Sequence, residues 1–254
     1  MLFGLVFLSP LGLRLAGGSG RRCGGQLPKQ FRLLGGQPVL ARTINRFAEA
    51  LPGARIVAIL PAEYAAFWHD LAARFDVAAH TVVEGGAERF HSVRNGLMAL
   101  PPETELIAVQ DGVRPLAGVE MIRRVAEAAA ASGAAIPVVE PVDSFRETDA
   151  SDSAAADPAA AATSSHVIDR RRLRIVQTPQ IFRADLLRAT YEAPYDAAFT
   201  DDASVVERAG HAVRLVAGER TNLKLTTPED FIVAEALLAA REENGETDAD
   251  ADRL

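Results

Sequence analysis

Short apolar runs alternate with amphipathic stretches along this chain, and that alternation narrows the fold more than any other feature. Residues 54–60 form an apolar run ended by Pro61, residues 81–84 another stopped by Gly85 and Gly86, and residues 106–110 and 134–139 two more. Runs of that length between turn residues predict buried strands. Between them, residues 38–51 place Val39, Leu40, Ile44, Phe47, Ala48 and Leu51 on one helical face, with Arg42, Asn45, Arg46 and Glu49 opposite. Residues 62–75 and 118–132 read as helices too. Strand and helix in turn predict an α/β fold: a mostly parallel sheet, connected right-handedly and flanked by helices. Residues 175–182 read as one strand re-entering the sheet, 183–192 as a helix and 213–216 as a strand. Thr200 is placed to cap a following helix, and Thr227 to cap the last one, which has Pro228 at its first position and runs to about residue 241.

The remaining segments are read from composition. Residues 1–8 are apolar but too short to span a bilayer and carry no cationic lead, which argues against a membrane or secretory role. Residues 11–15 are expected to be the strand that feeds the glycine-rich loop, although Arg14 is out of character for a buried strand. Residues 149–165, an Ala/Ser/Asp tract around Pro158, offer no apolar face and read as a mobile loop within an arm spanning about 141–175. A single domain over residues 1–241 and a disordered acidic tail over 242–254 complete the organisation. The net charge of −7 argues against a nucleic-acid partner, which normally requires a basic face. One cysteine, Cys23, excludes a disulfide framework and points to a reducing, cytoplasmic setting.

Against that acidic background, local cationic clusters point to a small anionic ligand. Gly17, Gly18 and Gly20 remove Cβ atoms where a backbone must bend and let a bulky anion approach its amides. Arg21, Arg22 and Lys29 follow, so the stretch offers donors and positive charge and suits a polyphosphate. A plain turn is the alternative, since the run matches neither the P-loop nor the dinucleotide fingerprint. The Gly85–Gly86 turn leads into a helix whose first amides can receive an acceptor edge of a base or a phosphate, while His91 reads as solvated on a polar face. Asp111 lies just beyond the strand at 106–110, where a carboxylate can meet a metal or a sugar hydroxyl, and Arg114 where a guanidinium can meet a phosphate. Capping of the next helix is the plainer role for Asp111. The basic cluster at 170–174 is either a solvated surface or an anion site.

These motifs occur together and in order. Ala16-Gly17-Gly18-Ser19-Gly20-Arg21-Arg22, Pro28-Lys29-Gln30, the Gly85-Gly86…Arg89…Ser92-Val93…Gly96-Leu97 segment, Asp111…Arg114-Pro115, Thr178-Pro179-Gln180, Thr200-Asp201…Ala203-Ser204 and Asn222…Lys224…Thr226…Pro228-Glu229-Asp230 resemble the 2-C-methyl-D-erythritol 4-phosphate cytidylyltransferase family over roughly residues 15–241. The resemblance implies a Rossmann-like nucleotidyltransferase fold with a protruding β-arm that builds a homodimer. It implies transfer of CMP from CTP to a polyol phosphate, with Mg2+ as the divalent ion.

Carried over to this sequence, it implies that Arg22 and Lys29 stabilise charge on the α-phosphate of CTP and that Arg170 and Lys224 position the acceptor. Ala16, Gly17 and Gly86, with Ser92, would face cytosine and ribose, and the neighbouring Gly18 and Gly20 belong to the same nucleotide loop. Gly112 and Asp111 would lie against ribose and metal; Arg114, Thr200 and, from the partner subunit's arm, Ser144 would contact the acceptor phosphate. Ser144 stands where the family commonly has threonine and Arg146 where it has lysine, which keeps a hydroxyl and a charge. A ribitol phosphate cytidylyltransferase, or a nucleotide-binding relative with impaired turnover, are the competing readings. In-line attack by the acceptor's own phosphate needs positioning and electrostatic stabilisation and no covalent nucleophile, which agrees with motifs built from Arg, Lys, Asp and Gly.

Overall fold

A computed structural model of the chain describes residues 3–8, 27–148 and 165–243. Twelve strands and seven α-helices follow one another among them. In chain order these are β1 Phe3–Leu8, β2 Leu33–Leu34, β3 Gln37–Pro38, α1 Val39–Ala50, β4 Arg55–Leu60, α2 Ala62–Ala72, β5 Thr81–Glu84, α3 Arg89–Ala99, β6 Leu106–Asp111, α4 Val119–Ser132, β7 Ala134–Val139, β8 Phe145–Thr148, β9 Ser165–Ile168, β10 Ile175–Val176, β11 Gln180–Arg183, α5 Ala184–Thr190, α6 Asp202–Arg208, β12 Arg214–Ala217 and α7 Pro228–Glu243.

Eight of the strands make one sheet in the order β10-β7-β11-β6-β1-β4-β5, with β12 beside β7. The period-two alternation of the strands divides the core between its faces. In β4 and β6, Ile56, Ala58, Leu60, Leu106 and Ala108 face a cluster with α1, α2 and α4, whereas Val57, Ile59, Ile107 and Val109 face one with α3, α5 and α6. Both faces are therefore covered, which is why these strands read as continuous apolar runs. A third cluster packs Phe231, Ala234 and Leu238 of α7 on Leu34, Val113, Leu116 and Leu225. Ile44 of α1 is completely buried. Truncating it to valine is expected to cost about 1 kcal/mol of stability, read as a lower urea midpoint at unchanged slope.

Several expectations are corrected. The expected strand at 11–15 lies outside the described residues; the sheet position between β4 and β6 is held by Phe3–Leu8, with Leu5 paired to Ile56 on one side and to Ala108 on the other. Gly4 permits that placement, because a Cβ there would stand 2.6 Å from Leu100 Cδ1. The sheet is mostly parallel, as expected, with β1, β4, β5, β6, β7 and β12 running one way; β11 runs antiparallel to both β6 and β7, and β10 antiparallel to β7. The expected strand over 175–182 is two, β10 and β11, separated by Gln177-Thr178-Pro179.

Arg46 is not on a solvated face: it is 3% exposed and pairs with Glu49 at 3.4 Å. Asn45 closes the loop after α2 through the Asp76 carbonyl and the Ala78 amide. At 149–165, residues 149–164 lie outside the described residues and Ser165 already belongs to β9, which pairs antiparallel with β8 in an exposed two-stranded arm. Helix α7 extends to Glu243, past the expected end at 241; the rest of the expected tail lies outside the described residues.

Candidate active site

Strand β6 ends in Asp111, and the chain turns there through Gly112 and Val113 so that Arg114 folds back: its amide donates to the Asp111 carbonyl at 3.1 Å. Arg114 Nε reaches Asp111 Oδ2 at 3.2 Å, and its Nη1 donates to the Asn222 carbonyl at 2.8 Å. Lys224 Nζ meets the same Oδ2 at 3.1 Å. The Leu225 amide donates to the Val113 carbonyl, so the segment carrying Lys224 lies along the turn that carries Arg114. Arg114 is largely buried and committed to these ties, whereas the Lys224 side chain is 44% exposed and free to follow an anion. Burial would push the Asp111 carboxyl upward, but the charges of Lys224, Arg114 and Arg89 outweigh it and hold the group below its ordinary value of 3.8.

A carboxyl with a depressed folded value stabilises the fold above its ordinary value, and that contribution is lost as the pH falls through the depressed one. Urea midpoints taken from about pH 4 downward are therefore expected to fall less steeply for Asp111→Asn than for the unaltered chain.

Residues without an assigned role in the sequence build the support. Thr178 Oγ1 accepts the Asp111 amide at 3.1 Å, and the Thr178 carbonyl accepts from Asn222 Nδ2 at 2.9 Å. Gln180 donates to Asp201 Oδ2 at 2.8 Å and accepts the Ala203 amide at 2.9 Å. Asp201, not Thr200, caps α6: its side chain accepts the Ser204 amide while Ser204 Oγ accepts the Asp201 amide. Thr227 directly precedes Pro228, the first residue of α7, and the Asp230 carboxylate takes the Thr226 and Thr227 amides at that helix entrance. The signal for these groups was their polarity inside otherwise apolar strands and turns; their partners, dozens of residues away, were not readable.

Across the carboxyl edge of the sheet, Gly86 opens the approach to α3. A Cβ on Gly86 would stand 2.4 Å from His91 Cβ, so only glycine fits the turn. The Gly86 amide donates to Ser92 Oγ at 3.0 Å, and that hydroxyl donates to the Glu88 carbonyl at 3.1 Å. His91 is half-buried rather than solvated, its ring 5.3 Å from that of Tyr195. Arg89, the first residue of α3, pairs with the buried Asp202, whose other oxygen accepts the Tyr191 hydroxyl at 2.6 Å. Gly112 is buried, its carbonyl accepting from Thr43 Oγ1 at 3.2 Å.

Nearly the whole chain is similar to known proteins. Residues 13–240 match the sequence model of the IspD family, 2-C-methyl-D-erythritol 4-phosphate cytidylyltransferase. The chain belongs to that family. A relative of the same name from Phocaeicola vulgatus is 43% identical over 225 residues, 88% of this chain and 97% of the relative. Another, from Geobacillus kaustophilus, is 42% identical over 231 residues, 89% and 96% of the two chains. The crystal structure of 2-C-methyl-D-erythritol 4-phosphate cytidylyltransferase from Thermus thermophilus superposes with a TM-score of 0.70 at 30% identity, covering 94% of this chain and all of that one. As members of this family are cytidylyltransferases, the chain is a nucleotidyltransferase enzyme.

Of the residues the resemblance singled out, the structure brings Asp111, Arg114 and Lys224 into one cluster, and Gly86 and Ser92 into one turn. Lys29 opens a single-turn 3-10 helix, Lys29–Phe31, whose buried Phe31 packs against Trp68 and Phe67. Thr200 is exposed at the entrance to α6. Arg170 stands apart, at the root of the arm, where its Nη1 donates to the Val142 carbonyl. It lines a cavity of about 350 Å3 with Glu140, Val142, Arg171, Arg174 and Arg220, none of which belongs to the Asp111 cluster. Ser144 is exposed on the same arm root. Ala16, Gly17, Gly18, Gly20 and Arg22 lie outside the described residues.

Proposed function

We propose that this enzyme transfers CMP from CTP to 2-C-methyl-D-erythritol 4-phosphate: a phosphate oxygen of the acceptor attacks the α-phosphorus in line, the bond to the bridging oxygen breaks, and pyrophosphate leaves. The observation that carries the reading is the half-exposed Lys224 ammonium held 3.1 Å from Asp111 at the carboxyl end of β6, where open α/β sheets bind ligands. Lys224 steadies the incoming phosphate; Lys29, with Arg22, takes up charge that develops on the α-phosphate. The turn at Gly86 and Ser92, together with Ala16, Gly17, Gly18 and Gly20, forms the nucleotide side, and Gly112 the wall beneath the ribose. Arg114 orients Asp111, and Thr200 sits on the acceptor side.

Mg2+ keeps most of its waters and takes one or two carboxylates plus substrate phosphates. Asp111 fits that need, because among the described residues its ion pairs with Arg114 and Lys224 both fall on Oδ2, which leaves Oδ1 for a metal. When bound, the ion neutralises triphosphate charge. Two-stranded arms on two copies would exchange contacts in a homodimer, bringing Arg170 and Ser144 of the partner subunit to the acceptor. No helix among the described residues is long and apolar enough to cross a membrane, and we place the enzyme in the cytoplasm with its CTP.

Pyrophosphate release with CTP and magnesium tests this reading. Release with methylerythritol phosphate and not with ribitol phosphate is expected. Release with ribitol phosphate alone, or with neither, overturns it.

A further inference from the structure

Two segments of the site lead into the first turns of helices: Gly86, separated from α3 by Ala87 and Glu88, and Thr200 with Asp201, directly before α6. Their first residues, Arg89 and Asp202, are 113 positions apart in sequence and form an ion pair in which the Asp202 side chain is completely buried. Tyr191, the residue that caps α5, donates its hydroxyl to the second oxygen of Asp202 at 2.6 Å. The Tyr191 ring stacks on Phe90 at 4.6 Å, and Phe90 in turn on Phe199 at 5.7 Å, so the Asp202 carboxylate and the Tyr191 hydroxyl lie buried beside an aromatic stack, while the Arg89 side chain keeps part of its surface exposed. Gln180 fixes the other side of the α6 entrance to the sheet, next to β6.

A buried carboxylate is costly to desolvate, and a well-packed apolar trio of the same volume commonly does as well for stability. What the ionic trio adds is direction: Asp202 holds Arg89 on one oxygen and Tyr191 on the other, which fixes both the separation and the rotation of the two helix entrances. We infer that Arg89, Asp202 and Tyr191 are positioning residues that hold the nucleotide turn at Gly86 and the acceptor entrance at Thr200 in register across the site. This inference rests on the proposed nucleotidyl transfer. Asp202 and Tyr191 act through the backbone they fix, and Arg89 does so as well as adding its charge to the field at Asp111. A misplacement on the order of 1 Å between reacting groups costs up to about a hundredfold in rate, so a clamp between the two binding segments has leverage on both substrates.

The test uses the full chain with magnesium, measuring CTP affinity by titration calorimetry and the KM of methylerythritol phosphate by pyrophosphate release, at a temperature where circular dichroism shows each variant folded. Asp202→Asn and Arg89→Met are expected to weaken CTP binding and raise the acceptor KM together, each by about tenfold. Arg89→Lys, which keeps the charge, is expected to recover most of both, and Tyr191→Phe to give a smaller joint change in the same direction. A role in stability alone would lower the melting temperature and leave both constants where they were, which would overturn the inference. So would a change in one constant without the other. Should Asp202→Asn not fold, Tyr191→Phe and Arg89→Lys decide on the same two constants. A chain that binds CTP but turns over no methylerythritol phosphate would sink the proposed transfer, and the clamp would then be judged on CTP affinity; an unaltered chain that binds no CTP overturns both.

Discussion

Replacing Lys224 by alanine is expected to lower kcat/KM by about a hundredfold to a thousandfold, a loss on the order of 3 to 4 kcal/mol of transition-state stabilisation. Lys224 is the one member of the Asp111 cluster whose cation is both close to the carboxylate and substantially exposed, so it is the group able to meet an incoming phosphate. Arg114 does not substitute for it, because its guanidinium is committed to Asp111 and to the Asn222 carbonyl. Steady-state kinetics on the folded variant check the point. A fall in kcat that matches the fall in kcat/KM places the interaction in the transition state, while a rise in KM alone reduces Lys224 to a ground-state contact. Unchanged kinetics would contradict the assignment.

Asp202→Ala is expected to destabilise the fold by about 3 to 5 kcal/mol, because it leaves the Arg89 guanidinium and the Tyr191 hydroxyl without their buried partner. Burial alone would lower the Arg89 proton affinity, and the Asp202 charge more than reverses this; burial and the same charge both push the Tyr191 hydroxyl upward. Both groups are thus electrostatically dependent on Asp202. Urea unfolding followed by circular dichroism reads the loss, and a midpoint within experimental scatter of the unaltered chain would show that the pair contributes little.

The parts of this architecture that depend on neighbours in sequence were legible. Apolar runs such as 106–110 read as strands because both faces of β6 are covered, and Asp111 stood out because the run stops there. What was not legible depends on distant partners. Arg46 looks solvated by helical period, yet its whole side chain is buried, and its charge pairs with Glu49 one turn on. Asp201 outcompetes Thr200 as the α6 cap because Gln180, on a strand 21 residues earlier, holds its second oxygen. The break at Gln177-Thr178-Pro179 splits one apparent strand into two that run the same way, both antiparallel to β7, and puts Thr178 where it can receive the Asp111 amide. No local period carries that information. Residues 3–8, part of what in sequence is only a short apolar run, take the strand position between β4 and β6 by pairing with both, a match of partners rather than of composition.

A crystal structure of the full chain with CTP and magnesium tests the central claim most directly, that one cationic site joins the nucleotide turn to the Asp111 cluster. The triphosphate is expected between Lys29 and Asp111, with the base against the turn at Gly86 and Lys224 beside the α-phosphate. A triphosphate seated instead among Arg171, Arg174 and Arg220 at the root of the arm, away from Asp111, would contradict it.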